Sequence, residues 1–171
     1  MVDDDADLEI RLATVADAQD IATVHLASWR EAYTGVVAEE YLESLDTERR
    51  AEEWRATLES PSARTWVAVD EDRVRGFLSL GPSRDEDASP ATQEIYAIYL
   101  EPSAWGSGIA RELVRTVTAE VPPSVPVTLW VLAANERARH FYRRHGFAVD
   151  GVERIEEIGG AAHREVRYVR S

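Results

Sequence analysis

The chain has 171 residues, 44% of them hydrophobic, enough for one domain with a sizeable core. It contains no cysteine and no lysine, which removes disulfides, thiolate metal sites, cysteine nucleophiles and Schiff-base chemistry. The net charge of −13, with 32 acidic residues against 19 arginines, repels nucleic acid and tolerates cationic substrates.

Residues 1–7 read as a flexible acidic tail, and 8–171 as a single domain. LEIRLA (8–13) alternates as a strand. Thr14 opens TVAD, a Thr-x-x-Asp capping box, and the helix after it runs to about Trp29-Arg30 before Gly35 breaks the pattern. AEEYLESL (38–45) is a short helical piece. Asp46-Thr47 caps a third helix to about Leu58, with Ala51, Trp54 and Leu58 on one face. RTWVAVD, the turn EDR and VRGFLSLG form a β-hairpin, and residues 82–92 a polar loop. A strand covers 93–101. A glycine-containing turn follows, then a helix carrying Ile109, Leu113, Val114 and Val117 that Pro122 and Pro123 stop. VPVTLWVLA (125–133) is a buried strand, and ERARHFYRRHG (136–146) a helix ending at a C-cap glycine. FAVDGVERI and HREVRYVR are the last two strands. This order describes an α/β fold, a mixed sheet with helices on it. Trp54 and Trp130 are assigned to the core.

No apolar stretch reaches the length of a membrane span, and MVDDDADLEI lacks the basic and apolar parts of a signal peptide. A cytoplasmic protein without membrane or nucleic-acid partners is the expectation. The four histidines form no metal pattern, so no metal is expected.

The turn Trp105-Gly106-Ser107-Gly108-Ile109-Ala110 lies between a strand and a helix. The first N–H groups of that helix lack internal partners and carry the positive end of the helix dipole. Glycines let a ligand approach the backbone closely. Either the turn only redirects the chain, or its amides hold an anion such as phosphate. No Lys-Ser/Thr follows the glycines, so this is not a Walker A loop, and the third glycine of a dinucleotide fingerprint is missing.

Two stretches, QEIYAIYLEPSAWGSGIARELV and LWVLAANERARHFYRRHGFAVDG, resemble the GNAT superfamily of N-acetyltransferases. The first is similar to the family's pyrophosphate loop, Gln/Arg-x-x-Gly-x-Gly/Ala. The second is similar to its strand–Asn–helix segment with a Phe-Tyr pair and Gly-Phe. The joint match covers about residues 93–151, and IRLATVADAQDIATVHLASWREAYTG resembles the start of bacterial members. One departure is Trp105, where the family usually has Gln or Arg.

The resemblance implies a single-domain fold with a central, mostly antiparallel sheet of about seven strands and about four flanking helices. Its fourth and fifth strands are parallel and splay apart, here 95–100 and 127–133. It implies acetyl-CoA as co-substrate, pairing like a borrowed strand with freed backbone groups at Ile98, Tyr99 and Leu100. A backbone amide near Ile98 would stabilise charge on the acetyl oxygen. The amides of Gly106, Ser107, Gly108, Ile109 and Ala110 would hold the pyrophosphate, with Trp105, Arg111, Asn135 and Ala138 also contacting the cofactor. An amine attacks the thioester directly. Tyr142 is the candidate acid for the departing thiolate, since a phenol with a pKa of roughly 10 is protonated at neutral pH. Glu94 is the candidate base, acting directly or through water. Phe141 packs.

Trp29, Tyr33, Trp66 and Tyr96 are the aromatic candidates for the acceptor pocket, and Glu31, Glu39 and Glu40 are either attractors of a cationic amine or a solvated face. His25 is either a packed residue or a base. A small-molecule amine is the expected acceptor. The alternatives are a protein N-terminus or lysine, or a CoA-binding module without turnover. A homodimer is expected by family analogy.

Overall fold

The computed structural model describes residues 8–170, so the expected tail at 1–7 lies outside the described residues. Seven strands form one sheet in the order β1-β2-β3-β4-β5-β7-β6. They are β1 (Glu9–Leu12), β2 (Arg64–Asp70), β3 (Arg73–Pro82), β4 (Gln93–Leu100), β5 (Val127–Leu132), β6 (Ala148–Ile158) and β7 (Ala161–Arg170). All neighbours are antiparallel except β4 and β5. The helices are α1 (Ala18–Tyr33), α2 (Glu39–Glu43), α3 (Thr47–Glu59), α4 (Ile109–Ala119) and α5 (Glu136–Arg144).

The helix starts follow local chemistry. The Asp17 carboxylate accepts the Thr14 N–H at 2.8 Å, closing the capping box, and Arg11 clamps the same carboxylate with two bonds of 2.9 and 3.0 Å. Asp46 caps α3 by accepting from the Glu48 and Arg49 N–H groups. Helix α1 runs past the expected end at Arg30 to Tyr33. No breaker precedes Gly35, which takes φ +83°, and Arg30 ties the last turn to the Leu42 and Leu45 carbonyls. That extra turn brings Tyr33 to the functional cleft.

In α4, Ile109, Leu113, Val114 and Val117 make one buried stripe against β2 and β3. Each such side chain contributes about 1.5–3 kcal/mol by leaving water. On the other face α1 and α3 pack together over Val67, Val74 and Phe77. Helix α5 is held to β7 by Arg139 and Arg143, which both donate to the Tyr168 hydroxyl.

Two tryptophans depart from expectation. Trp66 is buried in the core cluster that contains the α4 stripe, not in a pocket. Trp130 is half-buried rather than core. Its indole N–H donates to Asp85 at 3.0 Å, and Arg154 lies 4.2 Å over its ring. Strands β2 and β5 are interior to the sheet and nearly buried on both faces, so the sequence does not show which face each ring takes.

Candidate active site

Strands β4 and β5 pair over only three residues, Gln93 with Val127, Glu94 with Thr128 and Ile95 with Leu129. Beyond Ile95 they part. The change coincides with a β-bulge: Ile95 pairs with Leu80 and Ala97 with Ser79, leaving Tyr96 as the extra residue. Gly81 permits this, because a Cβ there would lie 2.5 Å from the Tyr96 hydroxyl. That hydroxyl donates to the Pro82 carbonyl. From Ala97 to Leu100, β4 has a sheet partner only on the β3 side.

The parting opens a cleft of about 900 Å³. One wall is Ile98, Tyr99 and Leu100, and the opposite wall is Asn135, Ala138 and Tyr142. The glycine turn closes one end with Trp105, Gly106, Gly108, Ala110 and Arg111. The expected cofactor residues are thereby brought together, with two qualifications. Ile109 points its side chain into the core, so only its backbone is offered. Ser107 is exposed and does not line the cleft, and its N–H and hydroxyl both go to the Ala104 carbonyl. Among the described residues no hydrogen bond uses the N–H of Gly106, Gly108, Ile109, Ala110 or Arg111. Gly108, at φ +90°, has no atom within 4 Å of its Cβ direction.

Cations without carboxylates gather at this end. Among the described residues Arg111, Arg137 and Arg144, all lining the cleft, make no ion pair. Burial holds Arg137 below the usual guanidinium range, and it lies 3.4 Å over the Trp105 ring. The Trp105 indole N–H donates to the Leu100 carbonyl at 3.2 Å. His145 is held below its usual range by burial and by the nearby Arg111 and Arg144 charges. A multiply charged anion such as a pyrophosphate matches this arrangement of amides and guanidinia. Arg137 and Arg144 carried no signal in the sequence, since being unpaired is a property of the fold.

Tyr142 is buried, and that burial raises its phenol well above the ordinary range, so it stays a proton donor. Tyr33 and Tyr99 are raised for the same reason. Asn135 joins these groups: its Oδ1 accepts from the Ala138 N–H at 3.1 Å, and its Nδ2 reaches the Tyr33 hydroxyl at 3.5 Å. Among the described residues the buried Trp29 indole N–H has no partner.

A side chamber of about 390 Å³ shares Trp29, Tyr96, Tyr99, Trp130 and Glu165 with the main cleft. Glu94 lines this chamber only. Its Oε1 accepts the Arg84 N–H at 3.0 Å and its Oε2 the Arg84 guanidinium at 2.9 Å. His25 also lines it. Burial pulls the His25 imidazole down to about 3, and its Nδ1 accepts from the Trp54 indole at 3.2 Å. It is therefore a neutral packing residue, stacked on Tyr99 at 4.9 Å. Of the acidic residues offered from the first helices, Glu31, Glu39 and Glu40 are exposed and line neither cavity. Glu156 and Glu165, from the final hairpin, line the side chamber instead.

Polar loop 83–92 reaches the side chamber through Arg84. Arg167, buried on β7, holds Asp85, Asp87 and Asp150 at 2.7–3.2 Å and so pins the loop to the sheet.

Residues 24–147 match the model of the acetyltransferase (GNAT) family. A protein of Mycobacterium tuberculosis named probable N-acetyltransferase Rv2775 is 26% identical over 148 residues, covering 85% of this chain and 83% of its own. The peptidyl-lysine N-acetyltransferase YjaB of Escherichia coli is 32% identical over 114 residues, 63% of this chain and 69% of its own. The crystal structure of PaiA N-acetyltransferase from Thermoplasma acidophilum in complex with coenzyme A superposes with a TM-score of 0.72 at 21% identity, over 96% of this chain and 98% of that one. The solution structure of apo YjaB superposes with a TM-score of 0.65 at 23% identity, over 99% and 97%. The parted parallel strands, the glycine turn and the Asn–Phe–Tyr helix thus stand within a family match over most of the sequence, and the chain belongs to the GNAT family of N-acetyltransferases.

Proposed function

We propose that the chain transfers an acetyl group from acetyl-CoA to a primary amine of a small molecule. The carrying observation is the edge of β4 that β5 leaves unpaired beyond Ile95, ending at a turn with free amides and unpaired arginines. An extended pantetheine arm would find backbone groups on Ile98, Tyr99 and Leu100, and the pyrophosphate would find Gly106, Gly108, Ile109, Ala110 and Arg111. Acetyl-CoA supplies an activated acyl group.

The chain's residues do the rest. Tyr142, kept protonated by burial, gives its proton to the departing sulfur. Asn135 caps α5 and steadies that wall. Glu94 serves as a proton acceptor through water, because Arg84 engages both its oxygens. Trp29, Tyr33 and Tyr96 flank the acceptor. The limited size of the side chamber, about 390 Å³, supports a small acceptor. Acetylation of peptide lysine is the second reading, favoured by the similarity to YjaB.

Isothermal titration with acetyl-CoA tests the cofactor assignment, with micromolar affinity expected. A thiol-release assay with spermidine, tyramine and a lysine hexapeptide tests the acceptor. No binding of acetyl-CoA by the native protein overturns the reading, and faster turnover of the hexapeptide than of both small amines selects the second one.

A further inference from the structure

The side chamber and the main cleft meet at one carboxylate that neither the glycine turn nor the Tyr142 wall explains. Glu165 lies on β7 opposite Leu132, where β5 has already parted from β4. It lines both cavities, and its side chain is only 14% exposed. Oε1 accepts from the Arg154 Nε at 2.7 Å, and among the described residues Oε2 has no partner. Oε2 is open to the cavity, so a ligand there can reach a carboxylate oxygen that no side chain among the described residues already occupies.

The surroundings specify the ligand's charge. Trp29, Tyr96, Tyr99 and Trp130 line the same junction, and aromatic faces attract cations. The other two chamber carboxylates are less suited to meet it. Glu94 has both oxygens on Arg84 and a side chain only 3% exposed, in the layer where β4 and β5 are still paired. Glu156 is 47% exposed, in the solvent-facing part of the chamber wall, 3.6 Å from Arg154.

We propose that Glu165 is the residue that receives the acceptor, binding a protonated primary amine through its free oxygen and taking the first proton from it. The acceptor is then a cationic amine with an apolar or aromatic body, not an already neutral nucleophile. The proposal rests on acetyl transfer as the function. In the balanced step the ammonium gives one proton to Glu165, which passes it to water. The neutral nitrogen bonds to the acetyl carbonyl carbon, and the carbon–sulfur bond breaks. The sulfur takes the Tyr142 phenol proton, and the second nitrogen proton passes through water at Glu94 and on to the Tyr142 oxygen. The net products are the acetamide, CoA thiol and one released proton.

The test compares native enzyme, Glu165→Gln and Glu94→Gln with spermidine, tyramine and a lysine hexapeptide as acceptors, across pH and at saturating acetyl-CoA. Gln can still accept from Arg154, and unchanged circular dichroism and acetyl-CoA affinity report an intact fold and cofactor site. Glu165→Gln should raise KM for the preferred amine at least tenfold, lower kcat, and remove the acidic limb of the kcat/KM profile. Values within twofold of native and an unchanged acidic limb overturn the proposal. So does native enzyme that binds acetyl-CoA and acetylates none of the three amines. Native enzyme that does not bind acetyl-CoA overturns the function on which the proposal rests.

Discussion

The two ends of the cleft handle arginine in opposite ways. Around the glycine turn, Arg111, Arg137 and Arg144 have no carboxylate partner among the described residues. Around the side chamber, Arg50, Arg84 and Arg154 are paired with Glu53, Glu94 and Glu165. The residue type is the same, and the supply of partners differs. An unpaired guanidinium keeps its field for a ligand, whereas a paired one becomes a local dipole that orients its carboxylate. In a chain of net charge −13, withholding carboxylates from one end makes an anion site without adding positive charge.

The most complete way to break the contrast is to fill the anion end. Gly108→Trp projects a ring into open space at the turn, at a positive φ that costs roughly 1–2 kcal/mol. Titration should show acetyl-CoA affinity reduced more than a hundredfold, while spermidine and tyramine still bind the side chamber. Tyr142→Phe leaves both ends intact and removes the proton donor between them. Turnover should fall about a hundredfold, within the usual range for general acids, with the acetyl-CoA dissociation constant within twofold of native.

Replacing Arg111 and Arg137 together by Gln removes two free cations and no salt bridge. Affinity should weaken about tenfold, equivalent to about 1.4 kcal/mol. The dependence on salt should flatten too, because fewer charges remain to be screened.

The remaining effect, absent at neutral pH, concerns His25 and stability rather than catalysis. Its folded pKa of about 3 lies below its unfolded value, so the unfolded chain binds the proton more tightly. Stability it confers at neutral pH is lost as pH falls from about 6.5 towards 3, by at most about 1.4 kcal/mol per pH unit. Denaturant titrations of His25→Asn should show a shallower loss over that range than native protein.

Element order and the residues that meet along the main cleft were legible because local chemistry and spacing encode them. The capping box at Thr14, the Asp46 cap and the α4 stripe each declare themselves within a few residues. The end of α1 was less so, since its last turn depends on Arg30 reaching carbonyls of the segment after α2. The side chamber was the least legible. Glu165 and Glu31 look alike as sequence, and only the pairing of β7 with β5 puts one in the cleft while the other faces solvent. Trp66 and Trp130 show the same limit, for strands that cover both faces.

The three-residue pairing of β4 with β5 divides the sheet into two blades, β1 to β4 and β5 with β7 and β6, stitched along a short seam. A ligand lying against the open edge would act as an additional strand and lengthen the stitching. Cofactor would then work as a structural splint as well as a reactant. At a hundred times its dissociation constant it would add about 2.7 kcal/mol to the stability of the whole fold. Hydrogen exchange at Ile98 to Leu100 would slow on its arrival and recover each time product leaves, so the sheet itself would tighten and relax with every catalytic cycle.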